Sequence, residues 1–304
     1  MSTLDPWTPP IEDRCITPDG LGIATYDFGG SGDDLLLVHA TGFCAAVLGP
    51  LAERLGDRYH CWGIDLRAHG RSDRPADGNF HWAGFALDVL SAIDHLGLED
   101  PVGFGHSCGG AAVLLAEQAR PATFRSLYTF EPVVFPHPEG SPESALMEEN
   151  ALSIGARRRR ETFPSAEEAI TNFSSKPMFA SLDPRVLQAY VEYGFEPVPD
   201  EDGGDGMAIR LRCRRDDEAD VYAHGYAHDA FAHLGEVQCL VALACGEDTD
   251  SMGPSVLAAD AAQLPRATID VLAGLGHFGP LEQPGVVGHS VIAAMSTSHE
   301  TPSP

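Results

Sequence analysis

Residues 102–119 read Val-Gly-Phe-Gly-His-Ser-Cys-Gly-Gly-Ala-Ala-Val-Leu-Leu-Ala-Glu-Gln-Ala. The first five form an apolar run of strand length, and Ala111 to Ala119 are good helix formers. The join is Gly105-His106-Ser107-Cys108-Gly109, a G-x-S-x-G placed where a strand gives way to a helix. A serine hydroxyl is a weak nucleophile until a base takes its proton, so it must stand on a sharp turn that a histidine can reach. The glycines permit such a turn. The amide of Cys108 then points at the substrate oxygen, and the helix N-terminus adds positive potential there. Ser107 is therefore the expected nucleophile. The bland alternative, an idle serine in a glycine loop, lacks the strand–turn–helix context found here.

Outward from this segment, short apolar runs recur: LLLVH (35–39), YHCWGID (59–65), SLYTFE (126–131), CLVALAC (239–245) and ATIDVLA (267–273). Near-continuous apolar runs suit strands covered on both faces, hence a parallel sheet. Between Asn79 and Gly97, Trp82, Phe85, Ala86, Val89, Leu90, Ile93 and Leu96 recur at helical spacing, with Asn79 as N-cap and Gly97 as C-cap. This alternation predicts a doubly wound α/β fold with a mostly parallel sheet. From residue 136 to 233 the strand signals fade. SALMEENALSIGARRRRETF and SAEEAITNF read as helices, and PVPDEDGGDG as a loop. The expected organisation is a core of residues 1–135 and 234–298, a mainly helical cap over 136–233, and a frayed tail at 299–304.

The chain has 304 residues, 43% of them hydrophobic, enough for a sizeable core. Against 45 Asp and Glu stand 19 Lys and Arg, a net charge of −26, with Lys176 the sole lysine. Such a surface disfavours nucleic acid and anionic membranes as partners and leaves a small-molecule substrate. Cys15, Cys44, Cys61, Cys108, Cys213, Cys239 and Cys245 form no CxxC pair and read as free thiols of a reducing compartment. Neither a signal peptide nor a membrane-spanning run is evident, so the expected address is the cytoplasm.

Taken together, LLLVHATGF (35–43), GIDLRAHGRSDRP (63–75), GHSCG (105–109) and GLGHFGPLEQP (274–284) resemble, in order, the motifs of the α/β-hydrolase family, in particular its esterase-like members with a helical cap. The resemblance implies that His277, after the last strand, is the base and that the chain order is nucleophile, acid, base. It implies a second oxyanion donor in the loop after LLLVH, where His39-Ala40 replaces the usual His-Gly; the amide of Thr41 is the first choice, Gly42 and Phe43 the next. His39 is expected to brace that loop, and Asp65, Arg67 and Ser72 to be structural.

The acid should end a strand beside the nucleophile. The common family pattern puts Asp three residues after Gly246, where this chain has Thr249; a variant puts it on Asp250. Asp250 is the first choice and Glu131, at the end of SLYTFE, the alternative. His224, His228 and His233 lack the glutamate and the helical face of a zinc motif. Arg157 to Arg160 read as partners for nearby carboxylates. The aromatics Phe173, Phe179, Tyr190, Tyr193, Phe195 and Tyr222 either line a pocket or pack the cap.

The expected function is hydrolysis of a carboxylic ester or lactone through Ser107, His277 and Asp250 and an acyl-enzyme, with no metal or cofactor required. An acyltransferase, a C–C bond hydrolase, or a non-catalytic ligand receptor on the same fold are the alternatives.

Overall fold

Leu35, Leu36, Leu37 and Val38 are all fully buried, and successive side chains enter different cores: Leu35 and Leu37 one, Leu36 and Val38 the other. A strand buried on both faces must lie inside a sheet covered by helices on each side. The computed structural model, which describes residues 10–78, 80–136, 150–200, 206–225 and 227–296, has that architecture. Eight strands form one sheet: β1 (Ile11–Ile16), β2 (Gly22–Gly30), β3 (Asp33–Val38), β4 (Tyr59–Ile64), β5 (Val102–His106), β6 (Ser126–Phe130), β10 (Leu240–Gly246) and β11 (Ala267–Leu272). Their order is β1-β2-β4-β3-β5-β6-β10-β11. Pairing is parallel from β4 onward, and β1 and β2 are antiparallel.

Helices α1 (Gly49–Leu55) and α11 (Pro284–Ser296) cover one face, adding Leu51, Leu55, Val287 and Val291 to its core. The other face is covered by α2 (Trp82–Leu96), α3 (Cys108–Ala119) and α9 (Pro254–Ala261), through Phe85, Val89, Ala112, Val113 and Leu257. Gly97 ends α2 at φ +66, the left-handed cap its position implies. The expected cap at the other end, Asn79, lies outside the described residues, and His81 occupies the N-cap.

All the apolar runs form strands. The hairpin β1–β2 escapes that reading because its sequence, edged by charge and glycine, has no continuous apolar stretch. β11 departs from two-sided burial: it is the sheet's edge and leaves Ile269 and Val271 exposed.

Between β6 and β10 the chain leaves the sheet and forms α4 (Ala151–Arg157), α5 (Ala166–Ser174), α6 (Pro177–Ala180), α7 (Pro184–Gly194) and α8 (Arg215–Ala223). It also forms a small antiparallel sheet, β7 (Thr162–Phe163), β9 (Met207–Leu211) and β8 (Phe195–Pro199), so the segment is not purely helical, and Pro197 to Pro199 belong to a strand rather than a loop. Phe163, Phe173, Phe179, Tyr190 and Phe195 pack against one another in tilted and edge-to-face pairs. Phe43 of the main domain touches Phe179 and Tyr190, joining this cluster to the sheet's core. Most of the aromatics therefore pack. The expected tail at 299–304 lies outside the described residues.

The seven cysteines are unpaired. No helix among the described residues is long and apolar enough to cross a membrane.

One buried charge stands apart. Asp260 of α9 is about 1% exposed, and neither carboxylate oxygen has a hydrogen-bond partner among the described residues. Burial pushes its carboxyl up to about 7. The folded state thus holds a proton that the unfolded chain releases near pH 4, so stability present at low pH is lost as pH rises toward 7. Between pH 5 and pH 8 the loss from this group is about 2–3 kcal/mol. Asp260→Asn should remove that share of the pH dependence and be the more stable protein at pH 8, measured by urea unfolding at both pH values.

Candidate active site

The nucleophile turn is built from contacts that only glycine allows. Ser107 itself carries the strain, at φ +56 and ψ −115, a region that costs an L-residue about 1–2 kcal/mol. The flanking glycines serve close approach instead: a Cβ on Gly105 would lie 2.4 Å from the Gly109 carbonyl oxygen, and one on Gly109 would lie 2.3 Å from that of Val38. The Ser107 N–H donates to Phe130 O at 2.9 Å, and the Ser107 carbonyl accepts from Val133 N–H at 3.2 Å. Those bonds straddle Glu131, so the turns after β5 and β6 are zipped together.

Glu131 is fully buried and strained as well, at φ +47. Its Oε2 accepts from His277 Nδ1 at 2.7 Å and from Thr249 Oγ1 at 2.8 Å. Its Oε1 accepts from Gly246 N–H at 3.0 Å. The expected acid, Asp250, is not the residue that meets His277: it lies exposed in the turn after β10, and the carboxylate on Nδ1 is that of the alternative, Glu131. The reason is geometric. β6 lies between the nucleophile strand β5 and β10, and the left-handed backbone at 131 aims the long glutamate across the end of β10.

His277 follows β11, and α10 (Gly279–Glu282) comes directly after it. Its loop is latched at several points. The His106 ring donates from Nε2 to the His277 carbonyl at 2.9 Å. Asp248 N–H donates to Leu275 O at 2.9 Å, and a Cβ on Gly246 would lie 2.1 Å from that same oxygen. Gly276 N–H donates to Glu282 Oε2 at 3.1 Å. The structure records no hydrogen bond from Ser107 Oγ to His277; such bonds often tighten only when substrate binds.

A model of the alpha/beta hydrolase family matches residues 35–288, a span holding the nucleophile turn, the Glu131–His277 pair and every parallel strand. The chain belongs to the alpha/beta hydrolase family. A 2-(acetamidomethylene)succinate hydrolase of Mesorhizobium japonicum is 25% identical over 250 residues, 82% of this chain and 83% of that one. An N-formylmaleamate deformylase of Pseudomonas putida is 31% identical over 122 residues, 40% of this chain and 46% of that one. The crystal structure of an E-2-(acetamidomethylene)succinate hydrolase superposes with a TM-score of 0.77 at 22% identity, covering 94% of this chain and 99% of that one.

In this alpha/beta hydrolase the loop after β3 lies beside the nucleophile. Thr41 is buried, and its side chain is within hydrogen-bonding reach of the Cys108 thiol, which burial pushes up to about 12. The two expected oxyanion residues are thus neighbours. Gly42 follows at φ +80. His39 does brace this loop: Nδ1 donates to Ala40 O at 2.8 Å and Nε2 accepts from Leu66 N–H at 3.0 Å. Asp65 accepts from Tyr26 Oη, Ala45 N–H and Arg71 N–H, while Arg67 forks onto buried Asp88 and Ser72 Oγ bonds the Asp65 carbonyl. These residues are structural, as expected.

The alpha/beta hydrolase also holds buried groups that no motif marks. His106, the variable residue before Ser107, is fully buried; burial, then the neighbouring His277 ring, hold it well below the usual histidine range, so it is neutral. Of the arginine run, Arg157 pairs with Asp216 and Asp220, and Arg160 with Glu168. Arg159 turns inward, bonding Glu218 of α8 and donating to Tyr190 Oη at 2.6 Å. A Cβ on Gly42 would lie 2.6 Å from Glu218 Oε1 and 3.4 Å from Arg159 Nη1, so this ion pair packs against the loop after β3. His224, His228 and His233 bond separately, to Asp220 O, Val133 O and Glu236.

Proposed function

We propose that this alpha/beta hydrolase cleaves a carboxylic acyl bond through an acyl-enzyme on Ser107. The Glu131–His277 contact carries the reading. A carboxylate at Nδ1 keeps the ring proton there and leaves the Nε2 lone pair free to accept a proton. Nε2 takes the Ser107 proton as Oγ bonds to the carbonyl carbon. The amides of Cys108 and Thr41 hold the oxyanion. The imidazolium then protonates the leaving group as its bond to the carbonyl carbon breaks. Water, deprotonated by the same Nε2, releases the acid and restores the serine. Glu131 takes the orienting role first given to Asp250, and the segment between β6 and β10 acts as the cap that selects substrate.

The names of the two curated relatives describe hydrolysis of an acetamido-substituted succinate and removal of a formyl group from an N-formyl acid. Both favour a small substrate bearing a carboxylate, with an acylated nitrogen as an alternative to an ester oxygen. Arg159, which follows α4 and packs against Gly42 of the proposed oxyanion loop, retains N–H donors beyond the two it gives Glu218 and Tyr190 and is the cation suited to that carboxylate.

A fluorophosphonate probe should label wild type and not Ser107→Ala. 4-Nitrophenyl hydrogen succinate should show a KM about tenfold below that of neutral 4-nitrophenyl butyrate, and Arg159→Met should erase the difference. Labelling of Ser107→Ala equal to wild type refutes the nucleophile. Equal KM values in wild type remove the carboxylate.

A further inference from the structure

Thr249 occupies the position, three residues after Gly246, at which the common pattern of this family places the acid. Its hydroxyl is not idle. Oγ1 donates to Glu131 Oε2 at 2.8 Å and accepts from Ser251 N–H at 3.1 Å. A hydroxyl has one proton to give. With the Ser251 amide pinning a lone pair, that proton is aimed at the carboxylate oxygen that meets His277 Nδ1 at 2.7 Å. Gly246 N–H holds the other oxygen at 3.0 Å. The buried carboxylate therefore has donors on both of its oxygens.

From this arrangement we infer that Thr249 is a positioning residue for the reaction: its hydroxyl locks Glu131 Oε2 against His277. The inference rests on the triad reading given above. Without the hydroxyl, Oε2 keeps a single partner, the one that must move and gain charge during each turnover, and the carboxylate can swing about its bond to Gly246 N–H. Orientation of the imidazole then has to be recovered in the transition state. That penalty falls on kcat, not on substrate binding. The geometry also makes position 249 a second address for the acid. A carboxylate grown there is one bond longer than the threonine hydroxyl and carries an oxygen toward His277 once residue 131 is shortened.

The test uses 4-nitrophenyl butyrate and the whole chain. Thr249→Val, nearly equal in volume, should lower kcat about ten- to thirtyfold, the scale of one hydrogen bond to a charged group, with KM within about twofold. Thr249→Ser, which keeps the hydroxyl, should recover most of the loss. Glu131→Ala should be much poorer than either, and Glu131→Ala/Thr249→Asp should exceed Glu131→Ala by about tenfold or more. Thr249→Val at wild-type kcat overturns the inference while leaving the triad intact. So does a kcat loss that Ser does not restore and that tracks a lowered Tm, since that is a packing effect. A double variant no better than Glu131→Ala removes the second address. Full activity in Glu131→Ala overturns the triad reading itself, and the inference with it.

Discussion

Glu131→Gln should lower kcat by about 10³- to 10⁴-fold, while Asp250→Asn stays within about twofold of wild type, as befits an exposed change. The two carboxylates end neighbouring strands, and strand-end position alone favoured the one that does not meet His277. What separates them is which oxygen touches His277 Nδ1, and that is Glu131 Oε2 at 2.7 Å. A glutamine amide at this place must offer either an N–H, which cannot face Nδ1–H, or its carbonyl oxygen without the negative charge. In the first case the ring adopts the tautomer with the proton on Nε2 and cannot receive one from Ser107; in the second the imidazolium that forms in the transition state loses its counter-charge. Gln keeps the shape of Glu and can still accept from Gly246 N–H, so the melting temperature should change little. Steady-state kinetics with 4-nitrophenyl butyrate, beside thermal unfolding of both variants, checks this. A large loss in Asp250→Asn with Glu131→Gln near wild type reverses the assignment.

Gly109→Ala should cost more than about 3 kcal/mol of stability and leave little folded, active protein at 37 °C, a larger penalty than ordinary overpacking. The added Cβ would meet the Val38 carbonyl oxygen at 2.3 Å and that of His39 at 2.7 Å. Both are backbone atoms of the strand end that leads into the oxyanion loop, so no side chain can turn aside. Relief requires moving α3 away from β3, which pulls the Cys108 amide from the Thr41 loop and separates the two oxyanion donors. Stability and kcat should therefore fall together. Gly155, in α4 with open space around it, is the control: Gly155→Ala should fold as wild type does or slightly better, because alanine is the better helix former. Urea unfolding of both variants is the measurement, and a Gly109→Ala protein as stable as wild type would remove the close-approach account.

Much of the molecule was legible one residue at a time. Apolar runs such as LLLVH and CLVALAC can be buried only from both sides, so they announced parallel strands before any pairing was known. Ser107 and His277 could be singled out because each is bound to a local signal, a glycine-flanked turn and a glycine loop after the final strand. The small sheet of β7, β8 and β9 was not legible, since Phe195–Pro199 holds two prolines and a glutamate and β7 is a two-residue strand brought to β9 from more than forty residues upstream. Arg159 was read with its neighbours as partners for carboxylates on a solvated helix; α4 ends at Arg157, and beyond it Arg159 turns inward, which no residue of the run signals by itself.

The acid shows where local reading stops. Order along the chain pointed to a nucleophile at 107, a base at 277 and a carboxylate somewhere between, because each of those demands is written in residue type and spacing. Which carboxylate meets His277 depends on the packing of β5, β6 and β10 side by side. Glu131 and His277 are 146 residues apart, and a 2.7 Å contact between such distant groups exists only once strand order and the backbone angles at the strand ends have been set by the whole fold.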